Sequence, residues 1–169
     1  MKIKLNSKNK VKTEKEKTIF VTVGNGKFDQ LMIKIDELIE RKVITNRVIA
    51  QIGLGEYKPK HFQFFTFQDS LEDHYKKADL VISHGGPGTV FEVLRLKRKL
   101  IALPNRDRTD PRHQVEYLQA ISQESAALLY CNSVEELGQK LIEAKQFKFK
   151  SYCQPSCTIH QEIIKFLEK

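Results

Sequence analysis

One segment, Ala78-Asp79-Leu80-Val81-Ile82-Ser83-His84-Gly85-Gly86-Pro87-Gly88-Thr89-Val90-Phe91-Glu92, constrains the fold of this chain more than any other. Leu80, Val81 and Ile82 form the short apolar run of a parallel strand covered on both faces. Gly85, Gly86 and Gly88 let the chain turn sharply and bring backbone N–H groups close to a ligand. Thr89 is placed to cap the helix that follows, and Glu92, three residues on, to complete a capping box. A helix N-terminus behind such a turn offers free N–H groups and the positive end of a dipole, which suits phosphate. A turn that binds nothing would fit the same pattern, but it has little use for three glycines and a proline in four positions.

Strands and helices alternate around this segment. Residues 18–23 are a β-branched run ending in Gly24-Asn25-Gly26, and Phe28, Leu31, Met32, Ile35, Leu38 and Ile39 then recur at helical spacing. Residues 47–52 predict a second strand closed by Gly53 and Gly55. Residues 61–67 predict a third, with its phenylalanines expected in the core. Further strands are expected at 78–83, 99–103 and 126–131, and helices at 69–77, 112–123, 134–144 and 158–168. This alternation implies an α/β fold, a Rossmann-like parallel sheet with right-handed crossovers and helices on both faces. Ligands of such sheets bind outside the carboxyl ends of the strands. Residues 24–26, 83–88 and 104–113 all follow strand ends, so three loops are expected to meet at one crevice.

The chain of 169 residues suffices for one domain with a single core. That domain is read as residues 18–169, preceded by a basic arm, 1–17, with seven lysines, two glutamates and only four apolar residues. Such a composition predicts disorder. A second basic region holds Arg95, Lys97, Arg98, Lys99, Arg106, Arg108 and Arg112 against Asp107 and Asp110. It neighbours the glycine-rich turn in sequence and is therefore read as functional. Basic patches suit nucleic acid, an anionic membrane surface or a phosphorylated substrate, while the arm can equally serve solubility. No apolar run approaches the roughly 18 residues of a membrane span, and no apolar segment follows the basic N-terminus, so a cytoplasmic location is expected. Cys131, Cys153 and Cys157 are too scattered for a disulfide framework, and Cys153, Cys157 and His160 lack a fourth ligand and zinc-site spacing.

Gly24-Asn25-Gly26 begins a dinucleotide fingerprint, but Asp29 stands where the third glycine belongs, and no acidic residue clearly ends the second strand. A P-loop is absent. What remains is a pyrophosphate-like group met by two glycine turns, with Glu92 one turn into the helix and able to accept two hydrogen bonds from a ribose diol. Asp29 reads as a helix-start residue.

These residues carry a resemblance. Phe20-Val21-Thr22-Val23-Gly24 with Phe28-Asp29-Gln30-Leu31 resembles the start of the catalytic subunit of the eukaryotic two-subunit UDP-N-acetylglucosamine transferase, which extends dolichol-linked chitobiose. His84-Gly85-Gly86-Pro87-Gly88-Thr89, Phe91-Glu92, Pro104 and His113-Gln114-Val115-Glu116 are similar to the small glycosyltransferase subunits of bacterial capsule and exopolysaccharide synthesis. The resemblance covers roughly residues 19–144 and points to the C-terminal half of the GT-B enzymes of glycosyltransferase family 28. After Gly24 this chain has only Asn25-Gly26-Lys27, shorter than the loop of many bacterial relatives.

The resemblance implies a donor-binding catalytic subunit of an inverting transferase moving a sugar from a UDP-sugar to a lipid-linked glycan. It implies a membrane-anchored partner subunit holding the acceptor, so the chain would sit peripherally on the inner face of the membrane. Gly85, Gly86, Gly88 and Thr89 would lie against the diphosphate, Glu92 would hold the ribose, and His113 and Gln114 would contact the donor sugar, with Gly24 and Asn25 of the first turn as further binding candidates. His84 and His113 are the local candidates for a general base, which can equally lie on the partner. The plain structural alternatives are a backbone-bonded turn residue for His84 and a helix-start surface residue for His113. No Asp-x-Asp motif is present, so neither a bridging metal nor another cofactor is expected. A UDP-nucleotide-binding regulatory subunit, a nucleic-acid-binding domain and a UDP-sugar epimerase are the competing readings. Against nucleic acid stands the absence of an aromatic RNA-binding motif. Against the epimerase stands the chain's length.

Overall fold

A computed structural model describes residues 17–106, 111–153, 156 and 158–168. The basic arm up to residue 16, Arg108 and Cys157 lie outside the described residues. Twelve elements follow one another: β1 (Thr18–Thr22), α1 (Asp29–Glu40), β2 (Arg47–Gln51), β3 (Gln63–Phe65), α2 (Glu72–Lys77), β4 (Leu80–His84), α3 (Pro87–Arg95), β5 (Leu100–Leu103), α4 (Pro111–Ser125), β6 (Leu129–Tyr130), α5 (Leu137–Ala144) and α6 (Ile159–Leu167).

The strands form one sheet in the order β3-β2-β1-β4-β5-β6, parallel throughout. The chain winds outward from β1 to β3, then returns to the other side of β1 and winds outward again. Neighbouring β1 and β4 therefore lead into connections that run in opposite directions, and a crevice opens between them at their carboxyl ends. Gly24 and Gly85 follow those two ends.

Strand periodicity builds two cores. In β1, Ile19 and Val21 join a cluster with Leu31, Met32 and Ile35 of α1 and Leu137 and Leu141 of α5. Phe20 points the other way, to Tyr75 of α2, Val90, Val93 and Leu94 of α3 and Leu118 of α4. The alternate residues Ile82 and Val81 divide in the same way in β4. Both sheet faces are thus covered by helices, as a continuous apolar strand pattern requires.

Three expectations need correction. The phenylalanines of 61–67 are not all core: β3 is a three-residue edge strand with one neighbour, and Phe64 and Phe67 are 39% and 49% exposed. Phe65 alone of them stacks on Phe20 and His74. The capping box does not form, because α3 starts at Pro87 with Gly86 as its N-cap and no side-chain cap bond. Proline pre-sets the first helical φ and lacks the N–H that would go unpaired there, so the helix begins two residues before Thr89. Finally, the basic region after Arg95 is not one patch. Lys97, Arg98 and Lys99 precede β5 and Arg106 follows it, so a strand about 13 Å long separates them.

Candidate functional site

The crevice is built from glycine turns packed against one another. Gly24, at φ +63°, and Gly53, at φ +57°, occupy the left-handed region that glycine tolerates. A Cβ on Gly53 would lie 2.2 Å from the Gly26 carbonyl oxygen, so the turn after β2 seats the turn after β1 at backbone contact distance. Leu54 N–H donates to the same carbonyl at 3.0 Å. Below them Thr22 Oγ1 donates to Gln51 Oε1 (2.6 Å) and accepts from Gly24 N–H (3.2 Å), tying the ends of β1 and β2 to the turn.

His84 sits between the two principal turns. A Cβ on Gly24 would stand 2.6 Å from its Cε1 and one on Gly86 2.2 Å from its Nε2, so both positions admit only glycine while the ring stays in place. The side chain is 4% exposed. An imidazole enclosed this way spaces the two turns. Ser83 Oγ donates to the His84 carbonyl at 2.7 Å, closing the strand end.

The third loop is locked to the first two through Asn105, which no motif singled out. Asn105 is 2% exposed; its side-chain amide donates to the Lys27 carbonyl at 2.8 Å, and its N–H donates to Gln114 Oε1 at 2.8 Å. Gln114, 8% exposed in the first turn of α4, thus spends its carbonyl oxygen on holding the loop after β5. Tyr117 O–H, one turn on, donates to the Gly85 carbonyl, and burial holds that phenol far above its ordinary pKa. The only sequence signal for Asn105 was its place just after Pro104 at a strand end.

What the crevice leaves open is the start of α3. Apart from the flanking residues and the helix's own backbone, no atom among the described residues lies within 4 Å of where a Gly88 Cβ would be. Val90 N–H bonds back to the Gly86 carbonyl, leaving the N–H groups of Gly88 and Thr89 without an intrahelical acceptor. Donors of this kind, with the helix dipole behind them, have the chemistry to receive an anion. Glu92 lies on the same face, four residues after Gly88, exposed, and its carboxylate makes no hydrogen bond or ion pair among the described residues. His113 is exposed in the first turn of α4, and Asn25 is exposed at the tip of the first turn. Arg106 lies at the rim, its guanidinium donating to Asn132 Oδ1 at 2.8 Å. Asp29 starts α1 as expected, and its carboxylate also accepts the Glu56 and Tyr57 N–H groups (3.2 and 3.1 Å), anchoring the loop after β2. No group of three metal-ligating side chains occurs among the described residues.

Strand order, paired glycine turns and an open helix N-terminus define a Rossmann-like domain with its ligand crevice at the β1/β4 switch point. Comparison with known proteins narrows this. The glycosyltransferase family 28 C-terminal domain matches residues 9–165, and the chain belongs to that family. It is 35% identical over 126 residues to the human UDP-N-acetylglucosamine transferase subunit ALG13, covering 68% of this chain and 11% of that protein. It is 29% identical over 174 residues to the UDP-N-acetylglucosamine--N-acetylmuramyl-(pentapeptide) pyrophosphoryl-undecaprenol N-acetylglucosamine transferase of Flavobacterium psychrophilum, covering 90% of this chain and 47% of that enzyme. The chain thus spans less than half the length of these relatives. Among solved structures, MurG of Acinetobacter baumannii superposes with a TM-score of 0.60 at 17% identity, covering 92% of this chain and 50% of that one. The solution structure of ALG13 superposes with a TM-score of 0.60 at 19% identity, covering 88% and 94%. These two likenesses establish the fold, the C-terminal half of a GT-B architecture.

Proposed function

We propose that this chain is the donor-binding, catalytic subunit of an inverting glycosyltransferase that moves a sugar from a UDP-sugar to a lipid-linked glycan in polysaccharide synthesis. The observation that carries the reading is the open N-terminus of α3 with the exposed Glu92 carboxylate one turn along it. A diphosphate on the Gly88 and Thr89 N–H groups would leave a ribose within reach of Glu92, whose oxygens accept hydrogen bonds from both hydroxyls. Relatives named as UDP-N-acetylglucosamine transferases make UDP-N-acetylglucosamine the first donor to test.

Catalysis in this reading is leaving-group stabilisation. Negative charge grows on the UDP phosphate as the glycosidic bond breaks, and fixed N–H donors at a helix N-terminus meet it without reorganising. His113, exposed at the start of α4, serves as donor-sugar contact or as base toward the acceptor hydroxyl, with the partner as the other source of that base. Neither a metal nor another cofactor takes part. Gln114 acts through the loop it holds.

The acceptor belongs to a separate membrane-anchored subunit that recruits this chain to the inner face of the membrane. Support for a protein partner comes from α6, which exposes Ile159, Ile163, Ile164, Phe166 and Leu167, an apolar face that a lone soluble domain rarely presents. No helix among the described residues is long and apolar enough to cross a membrane. The basic arm would lie against anionic lipid, and deleting residues 1–17 is expected to weaken vesicle binding.

The test is thermal unfolding with UDP, UDP-sugars, ATP and NAD, beside Glu92→Ala. Ligand at about 100 times its dissociation constant adds roughly 2.7 kcal/mol, a shift of several degrees in Tm. Stabilisation by UDP compounds alone, lost in the variant, is the expected result; stabilisation by ATP or NAD, or none at all, counts against the reading. Reconstitution with the partner separates a catalytic subunit from a regulatory one.

A further inference from the structure

The pole of the sheet opposite the crevice holds a cavity of about 600 Å³, within the range of small-molecule sites. Its wall includes Lys17 before β1, Lys97, Arg98 and Lys99 before β5, and Lys145 after α5. Five cationic residues from three separate parts of the chain therefore line one concavity, with the Lys99 ammonium turned toward the Phe149 ring, 5.9 Å from its centroid. The one acid in the wall, Asp79, is already engaged, its Oδ2 accepting the Thr18 N–H at 2.8 Å. None of the five cations forms an ion pair among the described residues.

Arg98 is one of the residues that line this cavity. Its backbone N–H bonds to the Val93 carbonyl, which fixes the loop, but its buried Nε–H has no acceptor among the described residues. That nitrogen has almost no accessible surface, so a ligand in the hollow would meet the terminal guanidinium nitrogens rather than Nε. Arg98 and both flanking lysines also line a second, smaller cavity of about 140 Å³ with Lys150. Lys97 holds the left-handed backbone (φ +54°) that glycine usually takes after a helix. Basic residues at helix C-termini offset the dipole, which accounts for Lys97 after α3 and Lys145 after α5. It does not account for their meeting Lys17, Arg98 and Lys99 around a hollow.

The remaining wall is mixed, with the polar Thr18, Thr45 and Asn46 beside an apolar side made by Val43, Ile44 and Leu141. We propose that this cavity is a second anion site, at the opposite pole from the crevice, taking a phosphate monoester. A multiply charged tetrahedral anion suits several converging donors, among them a guanidinium fork. The phosphate can be free in solution or the headgroup of a lipid whose glycerol and first methylenes meet the apolar side. The proposal is independent of the transferase reading, because it shares no residue with the crevice.

The experiment is an amide NMR titration of the whole chain with inorganic phosphate, with dihexanoyl phosphatidic acid, and with dihexanoyl phosphatidylcholine as a control. Saturable shifts at Thr45, Asn46, Lys97, Arg98, Lys99 and Lys145, in either of the first two titrations, are expected. Equal affinity for both compounds identifies free phosphate; tighter binding of the lipid, with added shifts at Val43, Ile44 and Leu141, identifies a headgroup. Lys97→Gln combined with Lys145→Gln, both exposed positions, weakens binding about tenfold or more, while Glu92→Ala leaves it unchanged. Shifts confined to residues 24–26 and 85–89, linear non-saturating shifts, no shifts, or an affinity untouched by the double substitution would each overturn the proposal.

Discussion

The His84 imidazole and Gly86 exclude any side chain between them: a Cβ on Gly86 would lie 2.2 Å from His84 Nε2. Because the ring is also pressed against Gly24, it cannot swing away without moving the first turn. Gly86→Ala is expected to cost about 1–3 kcal/mol, the range for overpacking. Gly24→Ala adds left-handed backbone strain to a similar clash. Chemical denaturation reads both, and a Gly86→Ala domain as stable as the parent would show that the ring is free to move.

Gly88 makes the opposite prediction. Space around it is open and its φ is not in the left-handed region, so Gly88→Ala keeps or raises stability by up to about 1 kcal/mol, as alanine does in a helix. The added methyl nevertheless crowds the N–H groups assigned to the diphosphate. The Tm gain on adding UDP is expected to shrink while the ligand-free Tm does not fall. A parallel loss of both would place the effect in folding.

Removing the Asn105 side chain takes the Lys27 carbonyl's donor away and loosens the contact between the first and third loops. Asn105→Ala is expected to cost about 1–3 kcal/mol. Gln114→Ala removes the acceptor of the Asn105 N–H, and the two belong to one network, so the double variant costs less than the sum. Strict additivity in urea unfolding would separate them.

Asp36 gives the domain an acid-sensitive contact. Burial alone would raise its pKa, but hydrogen bonds from the Lys60 N–H, the Tyr57 hydroxyl and the His61 N–H outweigh this and hold it below the ordinary value. A carboxylate with a depressed folded pKa contributes stability above its unfolded pKa of about 4, and loses it as pH falls through the folded value. Asp36→Ala is expected to lose about 2–4 kcal/mol at pH 7, with three donors left behind, and to show a shallower loss between pH 4 and pH 2 than the parent. Equal acid slopes would assign the effect to other carboxylates.

Thiol reactivity should separate Cys131 from Cys153. Burial pushes the Cys131 thiol up to about 12, and its Sγ donates to the Ser133 carbonyl at 3.1 Å. Cys153 is exposed. In a Cys157→Ser chain at pH 8, a thiol-specific reagent should modify Cys153 promptly and Cys131 only on unfolding. Prompt modification of both would mean that the strand end near Cys131 opens readily.

Local pattern by itself determined the sequence of strands and helices, because a two-residue alternation or a 3.6-residue period is written within ten or so neighbours. It also marked Gly24, Gly85, Gly86, Gly88 and Glu92, since sharp turns need glycine and an anion seat needs a helix start. Where α3 begins was settled by Pro87 against the capping-box pattern of Thr89 and Glu92. The edge position of β3 came from sheet order, a relation among residues far apart in sequence, and it left Phe64 and Phe67 in solvent. Asn105 binds Lys27 across 78 positions, and no local signal encodes such a bond. Folding likewise put Lys97–Lys99 and Arg106 at opposite ends of β5, though they are close in sequence, because a strand separates its ends by about 3.3 Å per residue. Only the tertiary structure could decide that one basic run serves two poles.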